Sequence, residues 1–152
     1  MGRRRFVLTM RIFEKDFLTM DEISLLLGTK PGSYKINKVQ NPIAGKVIDR
    51  LREHFNFEIK DESYWRIETM PQGHGWHKDT GDNNHMLWCQ VGVSILLNGS
   101  FTGGETYYAD DEGKTNVVKQ ERSIGDLCAH TSDEWHMVTS HEGKRTVFLM
   151  FI

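Results

Sequence analysis

From residue 63 to residue 152, strand-length segments alternate with turns rich in Gly, Asn and Asp, and this rhythm restricts the chain to few architectures. Segments 64–70, 90–97, 105–108, 116–119, 126–129, 135–138 and 145–151 each read as a strand, from their β-branched and aromatic content and their turn-residue borders. Seven or so short strands after an N-terminal helical layer suggest a jelly roll or barrel with the helices packed outside. At 152 residues the chain has the length of one domain with its own core. The expectation is a mainly β jelly roll over residues 1–152, with its strand core at about 63–152.

The first third differs in texture. Residues 6–13 are apolar and β-prone and suit an edge strand. Thr19, with Glu22 three residues on, precedes Ile23-Ser24-Leu25-Leu26-Leu27; this predicts a capped short helix stopped by Gly28. Lys30-Pro31-Gly32-Ser33 reads as a turn. Asn41-Pro42 opens a second helix, because Asn caps well and Pro is tolerated at the first helical position. Ile43, Val47, Ile48, Leu51 and Phe55 then fall on one face. Helical support is thus expected at about 14–57, layered outside the strands.

Net charge is −2 with no basic excess, which argues against a nucleic-acid partner. The Arg3-Arg4-Arg5 run reads as a solvated tail. Cys89 and Cys128 form no CxxC and read as reduced packing residues of a cytoplasmic protein. Apolar runs such as 147–152 are too short to span a bilayer, and 6–10 is too short for a signal-peptide core. Phe6 stands where a myristoylation signal starting at Gly2 wants Ser or Thr.

The chemistry-bearing pattern begins with His77-Lys78-Asp79. Strand residues two apart share a side, so an imidazole and a carboxylate at this spacing can meet one metal ion. His136, far along the chain, supplies a third ligand. Two His and one carboxylate on one face of an octahedral metal leave three positions open, which favours non-haem Fe(II). The helical HExxH of many zinc hydrolases is absent. Arg145, nine positions after His136, can form a bidentate pair with a ligand carboxylate. His141 is the rival third ligand, in a turn-like stretch. His54 reads as a surface residue, His74 and His85 as loop residues near the metal mouth, and His130 as the end of a strand. For Trp76, Trp88 and Trp135, core packing is the default.

In order, His77-x-Asp79, Phe101-x-Gly103-Gly104-Glu105, Gly125-Asp126, His136-x-Val138 and Gly143-x-Arg145 resemble the motifs of 2-oxoglutarate/Fe(II)-dependent oxygenases, in the flavour of the prolyl-hydroxylase branch. The resemblance covers residues 64–152. It implies a double-stranded β-helix, with His77, Asp79 and His136 as iron ligands and as the catalytic centre. It further implies that Arg145 binds the distal carboxylate of 2-oxoglutarate, that O2 is consumed, and that ascorbate plays a supporting part. Gly103-Gly104-Glu105 matches a structural turn. Val147 stands where many members carry Ser, and Leu96 lies near where some prolyl hydroxylases carry Tyr. Help for Arg145 is therefore sought from Tyr64 or Thr146.

The expected substrate is a prolyl residue in a peptide or protein. A free amino acid or other small molecule is the alternative. A cupin-like metal-binding module without oxygenase activity is the further alternative, although it has no need of Arg145.

Overall fold

The structure is a computed structural model that describes residues 10–80, 86–111 and 113–152. In chain order its elements are β1 Arg11–Glu14, α1 Met20–Leu27, β2 Ser33–Lys35, α2 Pro42–Arg52, β3 Tyr64–Met70, β4 His74–His77 and β5 Val91–Leu96. They continue with β6 Phe101–Gly103, β7 Thr106–Ala109, β8 Val118–Gln120, β9 Leu127–Thr131, β10 Trp135–Val138, β11 His141–Gly143 and β12 Arg145–Phe151. A six-stranded sheet runs β1-β9-β5-β12-β3-β2, a four-stranded sheet runs β4-β10-β7-β8, and β11 pairs with β6. The pairings are antiparallel. This is a jelly roll with helices at one side, as the turn rhythm predicts.

Alternation along β12 sets the layers. Phe148 and Met150 point to one face and are fully buried with Trp65, Val93, Ile95 and Leu127. That face packs on Ile23 and Leu26 of α1 and on Val47 and Leu51 of α2, and removing this apolar surface from water is the main force holding the helices down. Arg145, Val147, Leu149 and Phe151 occupy the other face. Cross-strand partners share a face, so Met70, Glu68, Arg66 and Tyr64 of β3 and Leu96 and Ser94 of β5 lie there too. The large sheet therefore has a dry side under the helices and a mixed side that walls a cavity.

Both helices begin as the sequence predicts. The Thr19 side chain accepts from the Glu22 amide while the Glu22 carboxylate accepts from the Thr19 amide. Oδ1 of Asn41 accepts from the Ile43 and Ala44 amides. Segments 64–70, 135–138 and 145–151 are strands to the residue, and the others shift by one or two positions. Of the expected edge strand, residues 6–9 lie outside the described residues, while Arg11–Glu14 does form an edge, pairing with β9. Strands β2, β4, β6 and β11 were not foreseen. Each has three or four residues, too few to show alternation, and each exists through pairing with a distant partner. Cys89 and Cys128 are buried and unbridged. No described helix is long and apolar enough to cross a membrane.

Candidate active site

In the small sheet His77 at the end of β4 lies directly opposite His136 in the middle of β10, and His136 lies opposite Tyr108 of β7. The His77 and His136 ring centroids are 4.2 Å apart. Asp79 follows β4 by two residues and turns inward to be 7% exposed. Ligand-capable atoms of His77, Asp79 and His136 all lie within 4.8 Å of one another. The structure thus brings the three sequence-predicted ligands together, although Asp79 sits beyond the strand end rather than on the strand.

Both imidazoles are oriented by their own backbones. His77 donates from Nδ1 to the Gly75 carbonyl at 2.7 Å, and His136 donates from Nδ1 to the Glu134 carbonyl at 2.9 Å. Each bond turns Nε2 of its ring into the site, the atom a neutral imidazole offers to a metal. Burial, then the nearby charge of His136, holds His77 below the usual histidine range, which keeps its lone pair available.

Asp79 is anchored by a residue whose sequence reading was only a strand end. His130 Nε2 stands 2.7 Å from Asp79 Oδ2, and its Nδ1 shares a 3.0 Å hydrogen bond with the Tyr108 hydroxyl. Burial alone opposes ionisation of Asp79. The charge and hydrogen bond of His130, followed by those of His136, outweigh it, so the carboxyl titrates far below its ordinary range. Burial pushes the Tyr108 phenol upward and keeps its proton. Space for this pair comes from Gly92, the cross-strand partner of His130. A Cβ on Gly92 falls 2.1 Å from Asp79 Oδ2 and 2.9 Å from His130 Nε2.

The three ligand residues open into a cavity of about 560 Å³ between the two sheets. Arg145 lines the same cavity and is 2% exposed. Its Nε has no hydrogen-bond partner, and Nη1 reaches only the Met70 sulfur at 3.5 Å. Among the described residues no carboxylate pairs with it. Burial, then the like charge of Arg122, lowers its pKa from the usual arginine range to about 10, so the guanidinium is still charged at neutral pH. Gly104 makes the cavity deep enough for this side chain. Its φ is +66°, and a Cβ there falls 3.0 Å from Arg145 Cδ. The Gly103-Gly104 turn therefore seats the arginine.

The remaining expectations divide. His141 sits in β11, not in a turn, and donates from Nε2 to the Met70 carbonyl at 2.9 Å, away from the ligand set. Tyr64 lines the cavity. Thr146 does not help Arg145, because it points to the opposite face of β12 and bonds the Thr69 hydroxyl at 3.0 Å. His74 belongs to β4 and borders the cavity, while His85 lies outside the described residues. Trp76, Trp88 and Trp135 are half-buried, and the core tryptophan is Trp65. His130, Gly92 and Arg122 were missed. No motif marks them, and their placement depends on strand register.

No family profile matches the chain, and no curated protein matches it in sequence. Solved structures do match. A prolyl-4-hydroxylase from Pseudomonas putida superposes with a TM-score of 0.71 at 16% identity, covering 95% of this chain and 85% of that one. A viral collagen prolyl hydroxylase from Paramecium bursaria Chlorella virus 1, in a 2-oxoglutarate complex, gives 0.58 at 14% identity, with 93% of each chain covered. A Trichoplax adhaerens prolyl hydroxylase bound to a peptide fragment of the hypoxia-inducible-factor oxygen degradation domain gives 0.60 at 15%, covering 93% and 83%. The chain thus has the double-stranded β-helix fold of 2-oxoglutarate/Fe(II) oxygenases. The prolyl hydroxylases named above share this fold.

Proposed function

We propose that this protein is an Fe(II)- and 2-oxoglutarate-dependent dioxygenase that hydroxylates an unactivated C–H bond and releases succinate and CO2. One observation carries the reading: two oriented imidazoles and an ionised carboxylate face the same cavity as a buried guanidinium that pairs with no carboxylate among the described residues. The donor set fits Fe(II), because two nitrogens and one oxygen on one side leave positions for a chelating co-substrate and O2. The Arg145 guanidinium fits a carboxylate, since a buried cation is costly until it is paired. A cupin-like metal module without oxygenase activity has no use for that cation.

In this reading His77, Asp79 and His136 hold the metal, which when bound supplies the oxidative chemistry that couples decarboxylation of 2-oxoglutarate to insertion of one oxygen atom into the substrate. His130 and the two backbone carbonyls keep the ligands oriented. Arg145 fixes the far end of 2-oxoglutarate through a charge-assisted pair. Leu149 and Phe151 line the cavity with apolar surface and limit water around the reacting groups.

For the substrate we infer a prolyl residue within a peptide or protein. Tyr64 and Phe151 stand on the cavity wall with centroids 5.6 Å apart, and Trp88 lies 6.0 Å from Tyr64. Such an aromatic cluster suits the flat apolar face of a pyrrolidine ring. Solved structures of the same fold include prolyl hydroxylases, one holding a peptide. One feature favours the free-amino-acid alternative. Arg66 and Glu68 pair at 2.8 Å on the cavity wall, and a zwitterion needs both signs. Incubation with Fe(II), 2-oxoglutarate, ascorbate and either proline-rich peptides or free amino acids separates the two. A gain of one oxygen on peptides, matched by succinate, is expected; hydroxylation of free amino acids alone overturns the peptidyl reading, and absence of succinate with every substrate overturns the oxygenase reading.

A further inference from the structure

Arg122 lies between β8 and β9 and reaches into the same cavity as Arg145. Its Nη2 donates to Ser94 Oγ of β5 at 2.9 Å, and its Nη1 donates to Thr106 Oγ1 of β7 at 3.3 Å. The guanidinium therefore spans the two sheets of the roll. Its partners among the described residues are neutral, the two hydroxyls and the Cys128 thiol, which satisfy hydrogen bonds but leave the charge uncompensated. Its Nε is buried and has no partner, as is the Nε of Arg145.

Among the described residues, the cavity's other charges do not neutralise these two arginines. Glu68 pairs with Arg66, and Asp79 is engaged by His130 and His136. Lys78, a further cation of the wall, sits 5.4 Å from the Trp135 ring centroid. Two like charges facing one enclosed space repel each other, and Arg122 does oppose the charge of Arg145. A fold keeps such a pair only at a cost, and an anion between the two forks removes that cost. A carboxylate has two oxygens and about four acceptor sites, enough for both guanidiniums.

We propose that Arg122 is a second anchor for the distal carboxylate of 2-oxoglutarate, held ready by Ser94 and Thr106, so that this protein grips its co-substrate with two arginines. The inference rests on the oxygenase reading above. It assigns Arg122, Ser94 and Thr106 the part that Tyr64 and Thr146 were candidates for. It also makes the distal carboxylate a selectivity determinant, since any 2-oxo acid lacking it leaves both cations unpaired.

The test compares two ligands on the Fe(II)-loaded protein without O2. 2-Oxoglutarate carries the distal carboxylate, and 2-oxopentanoate replaces it with a methyl group. Dissociation constants are measured by calorimetry for wild type, Arg122→Gln and Arg122→Lys, with melting curves establishing that each is folded. Arg122→Gln is expected to weaken 2-oxoglutarate roughly 10- to 100-fold, as loss of a charge-assisted hydrogen bond does, while 2-oxopentanoate changes by less than about 2-fold. Arg122→Lys, which keeps the charge without the fork, gives a smaller loss with the same selectivity. Equal weakening of both ligands, in either variant, assigns Arg122 a purely structural role and overturns the inference, as does an unchanged affinity for 2-oxoglutarate. Failure of the wild type to bind 2-oxoglutarate overturns the oxygenase reading and this inference together.

Discussion

His130 Nε2 lies 2.7 Å from Oδ2 of Asp79, while Oδ1 of the same carboxylate lies 3.4 Å from Nε2 of His136. The aspartate is thus divided between two tasks. One oxygen is tied to the large sheet through β9, and the other faces the imidazoles of the small sheet. A metal held by His77, Asp79 and His136 is in this way coupled to both layers of the roll.

If that division matters, removing His130 frees the carboxylate to rotate. His130→Ala is expected to weaken Fe(II) binding about 10- to 100-fold, the usual cost of losing an outer partner of a metal ligand. His130→Gln, whose amide can donate to the same oxygen, recovers part of it. Anaerobic Fe(II) titration of the three proteins checks this, and equal affinities in all of them contradict the assigned role.

Gly92→Ala tests the same pair from the opposite side. The added methyl meets Asp79 Oδ2 at 2.1 Å and His130 Nε2 at 2.9 Å. One of them has to move. Stability is expected to fall by about 1–3 kcal/mol, the typical cost of overpacking. Fe(II) affinity is expected to fall with it, even in urea-free buffer where the variant is folded. Denaturant melts and metal titration read the two effects separately; intact metal binding argues that the carboxylate position is not critical.

The two prolonged strands, the capped helices and the spaced ligand motifs were legible in the sequence because each is a local pattern. Thr19 and Glu22 stand three residues apart, and Val147 to Phe151 is an unbroken apolar run of strand length. The support around the site was not legible. His130 and Gly92 are 38 residues apart and meet only because β5 and β9 pair in one register. Arg122 sits in no strand, and its meaning depends on Ser94 and Thr106 arriving from different sheets. Thr146 was misread as a helper because the face of β12 that carries Arg145 is fixed by packing against the helices, and Thr146 falls on the other one.

Arg145 sets function against stability. Burial, then the like charge of Arg122, lowers its pKa to about 10 in the folded chain, so the unfolded chain binds this proton more tightly. Holding the charge there therefore costs on the order of 3 kcal/mol below pH 10, and the cost shrinks as pH rises above 10. Arg145→Met is expected to raise the urea midpoint of the ligand-free protein at pH 7. The same change is expected to cost about 2–5 kcal/mol of 2-oxoglutarate binding, seen as a steep rise in KM with Fe(II) affinity retained. An unchanged KM removes Arg145 from the co-substrate site.

Visible absorption of the protein under anaerobic Fe(II) and 2-oxoglutarate reports metal and chelating co-substrate in one spectrum. A weak charge-transfer band is expected for wild type and for His141→Ala, whose imidazole is turned toward the Met70 carbonyl. The band is expected to vanish in His77→Ala and His136→Ala, which strip Nε2 ligands from the cavity. No band in the wild type, or a band kept in His136→Ala and lost in His141→Ala, contradicts the site proposed for this fold.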